Sequence, residues 1–547
     1  MVEPTSVFEI PLLMDLICEN LFKDEIATCR LVCRAWSRYF EPPLWQDWKL
    51  GDDHELDPEH QQILAGYARC ARDLVVCMSE KGTIGSFLQE LALRSNACVG
   101  LHSLSSLDCS SIQGSKTPQD NSAVARTVYY LIQKNPGLRN LSIADVSFHK
   151  LMNLDPVVPD GGLFSVLADH TNLRTLVLSS SRSVSDGQAR ALLQHIPVSL
   201  QVLEANWELS SHDKKKRFPD IGWKSNNSLR RLRLRGSFKN YENSVLVPFL
   251  ERCPGLIEIA LPSMNSDTPT SVANLLAEMC PSLQELDLRA GQYTEDEILV
   301  FLDRLGPLQA FMLGEGNHFE RFVLELVTKS RRTLEVLKFE RNVCISGQDM
   351  ESILNSCTRL RVFEALTFPA RGGLWRGGED CSGLLINQFA RSEYDTDLPP
   401  PWACEDLEEL SIAVRCSCSL ERNPTLIRNV NKQIGALVHL RELAISWMPC
   451  PLFNYGPATE PDGGWCEQTF DYDFSYRNGL EYLGSLTELR MLDLDGLRSV
   501  RFGEEECLWV AQHWLKLEEI HGLINRIRNE TEFTEKLQEL RPTLHLS

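Results

Sequence analysis

The hydrophobic pattern along this chain is dominated by a triplet of apolar residues spaced +3 and +5. It is seen as Leu283, Leu286 and Leu288 in the run Cys280-Pro281-Ser282-Leu283-Gln284-Glu285-Leu286-Asp287-Leu288. Clear copies start at Leu138, Leu173, Leu200, Leu229, Leu256, Leu283, Leu308, Leu334, Leu360, Leu407, Leu440, Leu489 and Leu517, and weaker copies at Ala71 and Leu104. From Leu173 to Leu360 the steps are 27, 29, 27, 27, 25, 26 and 26 residues. That length accommodates one short strand, one turn and one helix, and a fixed period of this size is the signature of a solenoid.

Alternation at Leu286 and Leu288 turns one side of a strand inward, while Glu285, Asp287 and Arg289 face outward. The segment Ile345 to Cys357 then places apolar residues at helical intervals, so a helix covers the back of the strands. One unit cannot bury its own apolar face. Each buried leucine contributes roughly 1.5 to 3 kcal/mol, which offsets ordering entropy only when neighbours cover both sides. The expected fold is therefore α/β, with a curved parallel sheet inside and helices outside, over residues 71–547.

Residues 1–48 do not follow the repeat. Pro11 suits a first helical turn, after which Leu13, Leu16, Ile17 and Leu21 form one apolar face. A second helix fits Glu25 to Val32, and a third begins near Arg34 and carries Trp36, Tyr39 and Phe40 until Pro42-Pro43 stops it. About forty residues make a poor independent core, and a fold of that size commonly needs a partner, a metal or disulfides. Neither metal spacing nor a disulfide framework is visible in it. Residues 49–70 read as a linker, helical from about Pro58 to Tyr67, that fixes the angle between the helices and the solenoid.

The run Ile10-Pro11, Leu16-Ile17, Leu21, Cys29-Arg30-Leu31-Val32-Cys33-Arg34-Ala35-Trp36 and Leu44-Trp45 resembles an F-box. The F-box pattern is a Leu-Pro start, an apolar helix, a Val-Cys-(Arg/Lys)-x-Trp core and a closing Leu-Trp. Here Ile10 stands for the usual leucine, and Leu12-Leu13 for the acidic residue often found after the proline. The repeats in turn resemble cysteine-containing leucine-rich repeats, on the marks Cys280-Pro281-Ser282-Leu283 and Ile345-Ser346-Gly347 followed by Cys357.

These resemblances imply an F-box followed by a leucine-rich-repeat solenoid, in the substrate-recognition subunit of an SCF-type ubiquitin ligase. Such a subunit is not itself an enzyme. It docks a Skp-type adaptor, and through it cullin and RING subunits, while the repeats hold a target protein. The adaptor-facing positions implied are Pro11, Leu13, Leu31, Val32, Leu44 and Trp45, with Trp36 in the core. The alternative is an interaction scaffold outside any ligase, its N-terminal helices a cap on the solenoid.

Charge narrows the choice of partner. The formal net charge is −20, whereas binding phosphate backbones calls for excess Lys and Arg, so nucleic acid is not expected. The outward positions of Leu229-Arg230-Arg231-Leu232-Arg233-Leu234-Arg235 carry Arg231, Arg233 and Arg235. Either Glu204 and Glu258 on neighbouring strands answer them, or a phosphate or acidic side chain of a bound substrate does. Farther on, Glu285, Asp287, Glu340, Glu364, Glu409, Glu442, Asp493 and Asp495 make the outward surface acidic, suited to a basic segment. Lys214-Lys215-Lys216-Arg217 reads as an import signal, an anion-binding loop or a solvated charge run.

Two intervals break the period, 47 residues from Leu360 to Leu407 and 49 from Leu440 to Leu489, placing insertions near 367–400 and 447–480. Aromatics of the second, among them Phe453 and Trp465, either anchor a partner or fold the loop onto the rim. Residues 110–122 read as an exposed loop.

Four of the eighteen cysteines, Cys253, Cys280, Cys357 and Cys404, fall three residues before a first leucine. That regularity points to packed, reduced thiols. Cys416-Ser417-Cys418 with Cys404 lacks zinc spacing, and no nucleophile elbow, helical histidine pair or paired carboxylates appear, so no metal, cofactor or catalytic centre is expected. There is no run of about 18 uncharged apolar residues and no secretory character in Met1-Val2-Glu3-Pro4. The expected location is cytoplasmic, nuclear or both, without membrane partners.

Overall fold

Parallel strands stacked through their leucines form the frame of the computed structural model, which describes residues 14, 16–18, 20–50, 58–78, 98–108, 128–144, 162–179, 184–207, 209–210, 225–236, 245–265, 268–314, 321–340, 345–365, 384–385, 401–415, 424–447, 475–494, 503–522 and 530–546. The chain divides into two compact units, Met1–Leu256 and Ile257–Ser547. Among the described residues no helix is long and apolar enough to cross a membrane.

In the first unit the strands are β1 (Asp47–Leu50), β2 (Asp73–Met78), β3 (Ser103–Asp108), β4 (Asn140–Ala144), β5 (Thr175–Ser179), β6 (Val202–Asn206) and β7 (Arg231–Arg235). Each pairs in parallel with the next, and the register runs unbroken through Trp48, Leu74, Leu104, Leu141, Leu176, Leu203 and Leu232.

The second unit contains β8 (Glu258–Ala260), β9 (Glu285–Leu288), β10 (Ala310–Leu313), β11 (Val336–Phe339), β12 (Val362–Ala365), β13 (Glu409–Arg415), β14 (Glu442–Trp447), β15 (Met491–Asp493), β16 (Glu519–His521) and β17 (His545–Leu546). Its register passes through Ile259, Leu286, Phe311, Leu337, Phe363, Leu410, Leu443, Leu492, Ile520 and Leu546. Both intervals that break the sequence period are crossed without a slip, because Phe363 still pairs with Leu410 and Leu443 with Leu492. The inserted residues leave and return outside the ladder. Of the first insertion only Leu384–Leu385 is described, pairing with Val414 and Arg415.

Every first leucine of the thirteen clear triplets is buried. Leu104, by contrast, is not a first position. Its register with Leu74 and Leu141 makes it the +3 residue, and the repeat starts at the fully buried Leu101.

Helices cover one side of the sheet as the apolar spacing requires. In Gly347–Ser356, Met350, Ile353 and Leu354 are buried, and Ser346 caps the start by accepting from the Asp349 N–H at 3.1 Å. Phe322 of the helix Phe322–Ser330 lies between Phe311 and Phe339 of the sheet, with ring centroids 6.2 and 6.0 Å away. Such pairs stabilise beyond the area they bury.

In most repeats the residue three before the first leucine closes the turn from helix to strand by accepting the leucine N–H on its carbonyl, as Asn135 does for Leu138 at 3.0 Å. The Asn135 side chain also ties its repeat to the one before, accepting from the N–H of Gly100 and Leu101 at 2.7 and 2.8 Å while donating to the Leu131 carbonyl at 2.7 Å. The Asn226 side chain accepts from the N–H of Ser228 and Leu229 in its own repeat and donates to the Pro197 carbonyl of the preceding one. Cys253, Cys280, Cys357 and Cys404 occupy the same place as buried thiols. With the start corrected to Leu101, Cys98 joins them.

Two further differences from the sequence reading concern the N-terminal end. The strand β1 begins inside the segment read as helical and ends in the linker, so the boundary at residue 48 cuts through a strand. The helix Arg34–Leu44 also runs through Pro42 and Pro43 instead of stopping before them. Proline costs a helix an N–H donor, and the chain closes here with Trp45 and Gln46 donating to the carbonyls of Pro42 and Pro43 at 3.1 and 3.4 Å. The linker helix lies at Pro58–Tyr67, as its sequence suggests. The loop 110–122 lies outside the described residues.

Asn135→Ala should strand the buried Leu101 N–H and the half-buried Gly100 N–H and destabilise the fold by about 1 to 3 kcal/mol, read as a lowered urea midpoint. Burial pushes the Cys98 and Cys357 thiols up to about 11 and the Cys404 thiol up to about 12 from the ordinary 9.0. A raised value means that their contribution is complete below about 9 and is lost as pH rises toward the folded values. Iodoacetamide at pH 8.5 should therefore label the exposed Cys33 in the folded chain and these three only after unfolding, as mass spectrometry would show.

Candidate functional site

The N-terminal helices bury little. Met14, Ile26 and Phe40 form a small core, against which Ile17, Cys18, Leu21, Cys29, Trp36 and Leu44 pack half-buried. The helix Lys23–Arg30 starts with the Phe22 N–H donating to Glu25 Oε2 at 2.8 Å. The next, Arg34–Leu44, starts with Cys33 Sγ accepting from the Trp36 N–H at 3.5 Å. Leu31 and Val32 lie in the tight connection between them, their N–H groups bonded back to Thr28 and Cys29 at 3.0 and 3.1 Å.

That backbone is pinned while its side chains project outward. Leu31 is 78% exposed and Val32 62%, with Phe22 at 80% and Leu16 at 57%. Four large apolar side chains exposed within seventeen residues, beside a core of three among the described residues, form an uncovered apolar patch. Sequence reasoning singled out Leu31 and Val32 but missed Phe22, the capping position ahead of its helix.

Leu44 and Trp45 are placed differently. Leu44 packs on the core, and Trp45 stacks on Tyr67 of the linker helix at 4.6 Å and 4° between rings. Tyr67 also donates to Glu41 Oε1 at 2.7 Å. Trp45 thus ties the helical segment to the linker. Pro11 and Leu13 lie outside the described residues.

On the outward side of the first unit, Arg233 pairs with Glu204 on the adjacent strand at 3.3 Å, in the register that sets those two residues opposite each other. Arg231 is half-buried and Arg235 exposed. Glu258 belongs to the second unit. Pairs this open are worth at most about 1 kcal/mol.

The acidic outward positions of the second unit are in part neutralised from within. Asp287 is buried and receives the Arg289 guanidinium in a fork, Nε to Oδ1 at 3.0 Å and Nη2 to Oδ2 at 2.9 Å. Lys338 reaches Glu364 at 3.5 Å and, two strands away, Glu409 at 3.8 Å. Burial, then the neighbouring Glu409, pushes the Glu442 carboxyl up from its ordinary 4.5, while Lys338 opposes the rise. Glu285 and Asp493 are half-buried, and Glu519 pairs with His521 at 3.0 Å. Asp495, Phe453, Trp465 and Lys214 to Arg217 lie outside the described residues.

No protein-family model matches the chain, and no curated protein matches it.

Because the Glu442 value is raised, its contribution to stability is present below about 4.5 and fades as pH climbs through the folded value. Lys338→Met removes the opposing cation. The unfolding midpoint should then fall more at pH 7.5 than at pH 5, by up to about 1 kcal/mol in scanning calorimetry.

Proposed function

We propose that this chain is the substrate-recognition subunit of an SCF-type ubiquitin ligase. Its N-terminal helices act as an F-box that docks a Skp-type adaptor, and its repeats act as leucine-rich repeats that hold a target protein. The observation that carries the reading is the apolar surface of Leu31, Val32, Phe22 and Leu16, exposed on a segment whose buried core, among the described residues, is Met14, Ile26 and Phe40. A partner covering Leu31 alone would gain roughly 1.5 to 3 kcal/mol of burial. The contribution of such a subunit is proximity, bringing lysines of the target to a ubiquitin-loaded enzyme, and it makes no bonds itself.

A capping role for the same helices is favoured by one observation, the continuation of their chain into β1 of the sheet. Capping accounts for Trp45, Trp48 and Leu50. It does not account for Leu31 and Val32, which point away from any cover among the described residues.

The test is co-precipitation of a Skp-type adaptor and cullin with the full chain. Leu31→Asp with Val32→Asp should reduce capture at least about tenfold, while thermal unfolding shifts by no more than about 0.5 kcal/mol, as expected of exposed positions. Undiminished capture by the double variant, or no capture by the wild-type chain, would sink the assignment.

A further inference from the structure

Just ahead of each strand sits a residue whose carbonyl takes two N–H bonds from the following repeat. The Arg72 carbonyl accepts from His102 and Ser103, that of His102 from Arg139 and Asn140, and that of Arg139 from Arg174 and Thr175, all at 2.7 to 3.1 Å. This pinning lines up the lead-in side chains along one edge of the sheet, one per strand and about 4.8 Å apart.

In the first unit the lead-in row reads Arg72, His102, Arg139, Arg174, Gln201 and Arg230, with no acid in it. In the second unit the same structural position, from Glu335 on, reads Glu335, Arg361, Glu408, Arg441, Arg490 and Glu518, so that every arginine has a glutamate beside it. Arg361 and Arg441 flank Glu408 and both bond to it, the latter at 3.0 Å, and Arg490 faces Glu518 at 3.9 Å. Like charges opposite each other on neighbouring strands are destabilising, and the second unit offsets them with glutamates, Glu408 and Glu518 on either side of the adjacent Arg441 and Arg490. The first unit does not: Arg139 and Arg174 stand side by side, exposed, with no ion pair among the described residues.

Those two arginines line a groove of about 470 Å³, shared with Thr171, Asn172, Gln201 and Ser228. We propose that this groove binds a phosphorylated serine or threonine carried on an extended protein segment. Two guanidinium forks one strand apart offer more donors than one carboxylate can accept, whereas the three oxygens of a phosphate monoester engage both. The hydroxyl and amide side chains around them supply further neutral donors. Nucleic acid fits less well, because no Phe, Tyr or Trp lines the groove as a stacking platform and the chain carries a net charge of −20.

The test uses the full chain and immobilised peptides with a central phosphoserine or phosphothreonine in otherwise degenerate sequence, against the same peptides unphosphorylated. At 0.15 M salt the phosphorylated set should be preferred at least about tenfold. Arg139→Gln with Arg174→Gln should erase the preference, and Arg361→Gln at the matched position of the second unit should keep it.

Arg174→Glu sets an acid beside Arg139, as Glu408 stands beside Arg361 and Arg441, so it should abolish binding while raising the thermal midpoint. A drop in that midpoint would refute the idea that the arginines repel. Equal binding of both peptide sets, a preference that survives the double variant, or displacement by inorganic phosphate or single-stranded RNA as effective as by the phosphopeptide would each overturn the proposal. No adaptor is present in the assay, so its failure leaves the F-box reading standing, and failure of adaptor capture leaves the groove standing.

Discussion

A strand of two to seven residues with one apolar side cannot hold itself in place. In both units each strand is stable only because the strand before it and the strand after it cover the flanks of its leucines. This mutual cover fixes the register at every step, from Trp48 to Leu232 in one unit and from Ile259 to Leu546 in the other. Cost falls on any slip, since a shift by one residue turns an entire leucine set outward. It also explains why steps as different as 25 and 49 residues coexist in one array. What lies between two strands is free to vary as long as the next triplet returns to its place.

With the inward positions committed to packing, chemistry is left to the positions that packing does not use. These are the outward side of the strands, the lead-in row along the edge, and the helical segment in front. The second unit balances its lead-in charges internally, Arg361 and Arg441 against Glu408, and buries the Asp287 charge under Arg289. In the first unit Glu204 pairs with Arg233, and no acid stands in the lead-in row from Arg72 to Arg230. The same scaffold thus supports a lead-in row whose arginines are paired with glutamates in one unit and one that sets Arg139 beside Arg174 in the other.

Much of the fold was legible from the leucine spacing, because burial and periodicity are the same constraint seen twice. The misread starts are instructive. Leu101 and Leu104 are three apart, so either could open a triplet, and only the cysteine three residues ahead, Cys98, decides for Leu101. The strand β1 escaped notice because its triplet, Trp45, Trp48 and Leu50, is written largely in tryptophan. Partners of the charged positions were harder to read. Lys338 joins Glu409 from two strands away, a neighbour set by the stacking and not by any local pattern. The exposed Leu31 and Val32 were legible through their motif, while Phe22 was hidden in a cap whose role is carried by its backbone.

The stack of Trp45 on Tyr67, two residues before β1 begins, leaves no slack between the front helices and the first leaf of the sheet. Whatever grips Leu31 therefore also steers the opening strands, as a handle steers a blade. A flexible tether would let a captive wander through many orientations, but a coupling this short permits few.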